Sequence, residues 1–497
     1  MKTLYAEYLL VYQIETGSWQ WDLDEIQAIG ITDCNVVELM VRNLCKLSKA
    51  THKVLKLAAC IGNQFNLEVL SIVNEESDLV TAANLWEALQ SGLILPIGDN
   101  YKIPLVFAQE ELAAIHDVKV EYKFLHARVQ QAAYSLIPES EKKAIHLKTG
   151  QLLLKNTTPQ ERKDTVFALV NQLNFGTDVL TTQSEKEELA ELNLIAGQKA
   201  KSSTAYEASV NYLNVGLKLL GQDSWERQYE LTFAFYVEVS EAEYLNTNIE
   251  RAETLCDRAL QKVKTILDEV KLYEIKIKLS LAKNQIKAAV NTGLQILDKL
   301  EVTLSQSPPS DLNFEELTQL PRMTDLSKLA AIKILTLIHR PACFGASELI
   351  LPIIYTMLKL SRQHGNSPSS IYAYSMYSVL VAFLIPDIDL AERLRQFSLQ
   401  LLDRLKATEF LSQVLVSTGI NIQQRKEHIR ETIDPLQVAI QSALDGGILN
   451  MPVTLLIFIA PIYFIKENTW YFYKINKRNI LNSLVNLSRN ISSILPK

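Results

Sequence analysis

Seven histidines and five cysteines are the side chains of this 497-residue sequence best suited to metal or proton chemistry, and their spacing brings few of them together. His428 and Glu431 lie one turn apart in a helical stretch. A carboxylate-bridged pair of metal ions needs that motif twice, with two further acids from other helices. The chain carries it once, so no metal site is expected. Lys426, Glu427, Arg430 and Glu431 read instead as a solvated, salt-linked face. His52, His116, His146, His339 and His364 form no close pair with metal spacing. Cys34, Cys45, Cys60, Cys256 and Cys343 are scattered, odd in number and without a Cys-x-x-Cys pair, which implies a reduced cytosol and roles as small core or surface residues.

Nucleophile and phosphate chemistry fare no better. Gly365–Ser370 (GNSPSS) lacks the Gly-x-Ser-x-Gly elbow of a serine hydrolase. A phosphate-binding loop needs glycines bracketing a tight turn, then Lys and Ser or Thr to reach phosphate and Mg²⁺. No Gly-x-x-x-x-Gly-Lys-Ser/Thr occurs, nor do a kinase Gly-rich loop, His-Arg-Asp or Asp-Phe-Gly. No acid pair can be argued as catalytic from spacing alone. The sequence predicts neither an enzyme site nor a cofactor of its own.

The elements that would position any site are predominantly helices. Sixteen glycines and fifteen prolines are few for this length and argue for long helices over strands and turns. A net charge of −6 with interleaved signs gives no general reason to bind nucleic acid. The N-terminus has no sustained apolar core or cleavage site, so no signal peptide is expected and the setting is read as cytoplasmic.

Residues 33–138 read as a winged-helix domain. Asn35–Leu47, Lys53–Ile61, Phe65–Val73 and Ala82–Leu89 form helices, with Gly62-Asn63 closing the second. Ile94–Phe107 and Val120–Leu125 then carry hairpin chemistry around Gly98-Asp99-Asn100, with Ala108–Asp117 inserted at the wing. His126–Leu136 returns to helix, and Pro138 breaks it. The expected recognition helix, around Ala82–Leu95, carries no Arg or Lys, although base readout needs such donors or groove-facing Asn and Gln, backed by phosphate contacts. Docking on protein is therefore expected over binding DNA.

Residues 139–304 read as TPR-like repeats. Ala205–Leu220 sets Ser209 seven residues before Gly216, and Asn248–Val263 sets Ala252 seven before Ala259. Gln285–Leu300 keeps Gly293, with Ile286 a departure at the earlier position. Small residues two turns apart let a partner helix approach closely, and the spacings of 43 and 34 residues include one match to the tetratricopeptide period of about 34. A loop at 305–323 leads to a second helical block at 324–445. There Ser367-Pro368 caps a helix, and Leu390, Leu394, Phe397, Leu401 and Leu405 form an amphipathic stripe. The fold class expected is mainly α: a winged-helix domain followed by a TPR-like α-solenoid, whose concave face serves protein binding.

The tail at 446–497 differs in composition, with Glu467 its only acid. Three readings stand: a frameshift or truncation product, a membrane anchor through uncharged 446–465, and a packed terminal helix. Pro452 and Pro461 weigh against the anchor.

Several blocks carry a family resemblance: Val36–Leu70, Val120–Pro138, Leu320–Leu335 (LPRMTDLSKLAAIKIL), His364–Tyr374 (HGNSPSSIYAY) and Lys426–Leu436 (KEHIRETIDPL). In order and type they resemble the region after the ATPase core in cyanobacterial multi-sensor Ser/Thr and histidine kinases with an AAA/STAND-type ATPase. The likeness covers Thr3 to Asp445. Residues 1–32 resemble the tail end of the ATPase region, so the chain is expected to begin after the nucleotide site, as a fragment or one half of a split protein. The resemblance implies a regulatory and scaffolding role, with protein partners that include an ATPase or kinase domain in cis or in trans, and ATP or ADP only through that domain. It also implies a role for His126: in related STAND ATPases a winged-helix histidine contacts bound ADP. Here Ala127 stands where the family commonly has Asp, and a capping or packed histidine is the alternative. A STAND-type transcriptional regulator and a membrane-tethered adaptor remain rival functions.

Overall fold

The computed structural model describes residues 10–22, 40–41, 44–103, 119–308, 314–385 and 387–445. The helix expected at Asn35–Leu47 lies largely outside them, as do the wing insertion and the tail at 446–497. The protein is mainly helical and divides into two compact units, Met1–Asn248 and Ile249–Lys497.

The first unit opens on a hairpin, β1 (Leu10–Gln13) and β2 (Ser18–Trp21), turned at Gly17 with φ of 62°. Helix α1 (Lys49–Ile61) follows, with Ser48 as N-cap accepting from the Thr51 N–H. Next come strand β3 (Gln64–Asn66), α2 (Leu67–Asn74), α3 (Asp78–Gln90), strands β4 (Ile94–Ile97) and β5 (Glu121–Phe124), and α4 (Ala127–Ser135). The antiparallel sheet has the order β3-β5-β4. Phe65 was expected in a helix and instead lies in β3. There it pairs with Tyr122, the rings stacking at 5.8 Å, and Asn66 starts α2 by capping the Glu68 N–H. Cross-strand aromatic packing outweighs the helical periodicity that Phe65 shares with α2. Val54, Leu55, Leu70, Leu85, Ile94, Phe124 and Val129 close one core between helices and sheet.

Helices α5 (Glu139–Asn156), α6 (Arg162–Phe175), α7 (Gln183–Ser202), α8 (Tyr206–Leu220) and α9 (Tyr229–Leu245) continue the unit, α5 packing on α2 and each later helix on its predecessor. Glycine sets the closeness of some contacts. Gly150 faces Leu173, Gly197 faces Leu213 and Gly216 faces Phe235, and a Cβ at any of these would strike the partner side chain.

The second unit runs through α10 (Ile249–Leu260), α11 (Ile266–Ala282), α12 (Ile286–Lys299), α13 (Leu326–Gly345), α14 (Ile350–His364), α15 (Pro368–Leu384), α16 (Ile388–Leu405), α17 (Leu411–Thr418) and α18 (Ile433–Asp445). The segment expected as loop carries a short helix, Phe314–Gln319, whose Leu317 is buried. Two blocks of the family resemblance meet here, because Arg322 and Asn366 form a parallel bridge. Buried Asn366 donates to the Leu317 carbonyl and accepts from Tyr374 Oη. Ser367 caps α15 through a capping box with Ser370, and Pro368 occupies the first turn, as the sequence implied. Leu394, Phe397 and Leu401 of the α16 stripe are buried.

The structure changes the register of the repeats. Thr204, Thr247 and Asn284 each adopt a left-handed conformation at a helix end. In each case the next N–H bonds back to a carbonyl five residues earlier, the Schellman closure: Ala205 to Ala200, Asn248 to Glu243, Gln285 to Ser280. Counted from these turns, Ser209, Ala252 and Ala289 are equivalent, and so are Gly216, Ala259 and Ile296. The intervals are therefore 43 and 37 residues, and the departure sits at Ile296 in place of Ile286. Gly293 has a different job. It receives Ile338 of α13, while Ile286 of α12 lies against Gly345. The two helices exchange a large and a small residue at antiparallel positions two turns apart.

Candidate functional site

His126 is the N-cap of α4. Its Nδ1 accepts from the Arg128 backbone N–H at 3.1 Å, and the ring is exposed. A lone pair committed at Nδ1 puts the proton of the neutral ring on Nε2. The capping alternative is thus realised, and the cap leaves one outward N–H donor.

The outward face of α3 is the second feature. Thr81, Ala82, Leu85 and Ala88 pack inward, while Leu79, Val80, Ala83 and Trp86 face out. Trp86 is 41% exposed, and no Lys or Arg occurs between Asp78 and Gln90. Glu87 ties α3 to α1, accepting from the Ser48 N–H at 2.8 Å and Thr51 Oγ1 at 2.9 Å. The Ser48 N–H chiefly holds its carboxyl below the usual range.

A third arrangement was not legible in the sequence. Tyr134 Oη lies 3.0 Å from His146 Nε2, His146 Nδ1 lies 2.7 Å from Gln172 Oε1, and Gln172 Nε2 donates to the Cys60 carbonyl at 2.8 Å. With Gln172 donating at its nitrogen, each bond has one direction. Tyr134 donates to His146, His146 to Gln172, and Gln172 to the end of α1. Gln130 of α4 also donates to the Ala59 carbonyl at 3.1 Å. The last turn of α1, whose carbonyls lack helical partners, is therefore held by α4 and α6. Burial pushes the His146 pKa down, with Lys142 adding to the effect against the Gln172 bond. Burial also pushes the Cys60 thiol up to about 11. The network keeps neutral groups neutral and fixes the sheet-bearing region to the first helical pair.

The other sequence candidates are dispersed. Among the described residues no group of three or more His, Cys, Asp or Glu could hold a metal ion. Lys426 pairs across to Asp389 of α16, whereas Glu427 accepts from Gln423 one turn earlier at 2.6 Å. His339 is buried in α13, its Nδ1 2.8 Å from Tyr372 Oη. No described helix is long and apolar enough to cross a membrane.

The fold and these sites define a class: a mainly helical protein whose two units are each built of successively packed helices, with two small antiparallel sheets among the described residues of the first unit. No family model matches the chain. It is similar to hybrid signal transduction histidine kinase G of Dictyostelium discoideum, 32% identical over an alignment of 305 positions, with 53% of this chain and 9% of the relative's length covered. The chain thus spans under a tenth of that relative. Among solved structures, it is similar to a signal transduction ATPase with numerous domains and a tetratricopeptide repeat sensor from Pyrococcus horikoshii. Identity there is 14%, coverage 93% of this chain and 67% of the other, and the TM-score 0.34. A circular tandem repeat protein is similar at 11% identity, with 92% and 97% of the two chains covered and a TM-score of 0.14.

Proposed function

We propose that this chain is a non-catalytic regulatory and scaffolding segment of a multidomain signal-transduction kinase bearing an AAA/STAND-type ATPase. In this reading the helices and three-stranded sheet of Lys49–Ser135 form a winged-helix domain that docks on the ATPase through α3. The helical pairs beyond it bind a protein partner or hold neighbouring domains in register.

The observation that carries the reading is the outward face of α3. It presents Leu79, Val80, Ala83 and Trp86 without a single cation. A helix reading DNA needs cations for phosphate and side-chain donors for base edges, whereas an exposed aromatic among small apolar residues suits a protein interface. The similarity to a hybrid signal transduction histidine kinase supports the signalling context. In the same reading His126 supplies a nucleotide-sensing element in trans, its Nε2–H donating to a phosphate oxygen held by the ATPase domain. The Tyr134–His146–Gln172–Cys60 chain would transmit docking as one body into α5 and α6. Neither phosphotransfer nor ATP hydrolysis belongs to this polypeptide alone.

The test is calorimetric titration of the full chain with an ADP-loaded STAND ATPase domain from the kinase family it resembles. Trp86→Glu should weaken binding at least tenfold, and His126→Ala should weaken it only when ADP is present. Equal affinity for wild type and Trp86→Glu would refute the docking face. Salt-dependent binding to duplex DNA would favour a transcriptional regulator instead, and ATP turnover by the pure chain above a mock preparation would overturn the non-catalytic assignment.

A further inference from the structure

The second unit contains a groove of about 540 Å³ where α11, α13, α15 and α17 converge. That volume falls within the range of roughly 300–1,000 Å³ typical of small-molecule sites. Its apolar surface comes chiefly from Leu281, Leu337, Met376, Phe410 and Val416. Some of the polar groups beside them offer acceptors. Thr336 Oγ1 gives its proton to the Ile332 carbonyl at 2.8 Å, and Ser417 Oγ gives its own to the Gln413 carbonyl at 2.6 Å, so both leave lone pairs over. Gln413 Oε1 is buried without a partner among the described residues. Pro341 has no N–H to return to the Leu337 carbonyl, so one rung of α13 is unfilled where both residues line the groove.

The charges at the rim differ from the floor. Lys333 is paired with Glu274 at 2.6 Å. Arg340 is exposed and makes no ion pair among the described residues. A guanidinium beside an apolar floor complements a carboxylate, sulfonate or phosphate. The unfilled acceptors complement an N–H or O–H on the body of the same ligand, since buried polar groups are ordinarily bonded.

We propose that this groove binds a small amphipathic anion: an apolar, ring-sized body with one anionic group set at Arg340 and one N–H or O–H donor set among the acceptors of the floor. This assignment stands on the second unit alone and does not depend on the role proposed for α3.

The test uses two fluorescent probes on the full chain. 8-Anilinonaphthalene-1-sulfonate has the ring body, an anilino N–H and an anion; N-phenyl-1-naphthylamine keeps the rings and N–H without the anion. The expected result is saturable binding of the sulfonate at one site, weakened about fivefold by Arg340→Gln. The neutral probe should bind more weakly and be indifferent to that change. Val416→Trp should fill the groove and abolish binding. Trp86→Ala on the first unit should change nothing. Absence of sulfonate binding to wild type, or binding that Val416→Trp and Arg340→Gln leave intact, would overturn the assignment. Equal affinity for the two probes would overturn its anionic part.

Discussion

Protonation of His339 is expected to make the second unit acid-sensitive at a pH where its carboxylates are still ionised. His339 is 4% exposed, Nδ1 faces Tyr372 Oη at 2.8 Å, and Nε2 has no partner among the described residues. Burial alone pushes its pKa down to about 4. An unfolded histidine titrates near 6.5. Between those values the unfolded chain binds a proton that the folded chain refuses, so stability is intact at pH 7 and falls as pH drops through 6.5 toward 4. Integrating the linkage gives a loss of about 2 kcal/mol at pH 5, rising to about 3 kcal/mol by pH 4. His146 is shifted the same way, so wild type alone cannot isolate the effect. The comparison is therefore with His339→Gln, which keeps a polar partner for Tyr372 and does not titrate. Urea unfolding followed by helical circular dichroism at pH 7 and pH 5 gives the two changes in stability. Wild type should lose about 2 kcal/mol more than the variant. Parallel loss in both would mean that His339 is solvated or protonated in the folded state, and the burial argument would fail.

Three further outcomes follow from packing and polar networks. Gly293→Ala drives a Cβ into Ile338 Cγ2 and should cost about 1–3 kcal/mol; Ile338→Ala in the same chain should recover part of that, so a double-mutant cycle in thermal unfolding reads a favourable coupling. Gln172→Leu leaves the Cys60 carbonyl and a His146 N–H without partners and should cost about 2–4 kcal/mol, with faster amide exchange at the end of α1 and in α4. Gly365 has φ of 98°, and a Cβ there would lie 2.5 Å from the Pro321 carbonyl oxygen. Gly365→Ala should therefore lower the urea midpoint by the equivalent of at least about 2 kcal/mol, and an unchanged midpoint would rule out the close approach at the Asn366 bridge.

The sequence was most informative where one residue does one local job. Ser367-Pro368 and the α16 stripe depend on a cap and a 3.6-residue period that can be read in place. The repeat register was harder because the chain does not mark its turns with glycine. Thr204, Thr247 and Asn284 take the left-handed position themselves, as non-glycine residues do only when the surrounding closure holds them. Without that mark, Gly293 drew the alignment to itself. β3 was hidden for a related reason: three residues are too short for an alternation signal, and Phe65 also fits the period of α2.

The sites were less legible than the helices, and the cause is distance along the chain. Gln172 bonds the Cys60 carbonyl across 112 residues, and the groove collects Leu281, Arg340, Met376 and Gln413 from four helices. No spacing rule links such residues, because each occupies an ordinary position on its own helix. What distinguishes them is unfinished bonding. A carbonyl at the end of α1 needs a donor and receives Gln172; Gln413 Oε1 receives none from the described residues, and Pro341 has no N–H to offer the Leu337 carbonyl. Folding completes the first set internally, which makes it structural. It leaves the second open beside an unpaired guanidinium, and an open set of acceptors in an apolar groove has its free energy still to gain from a ligand.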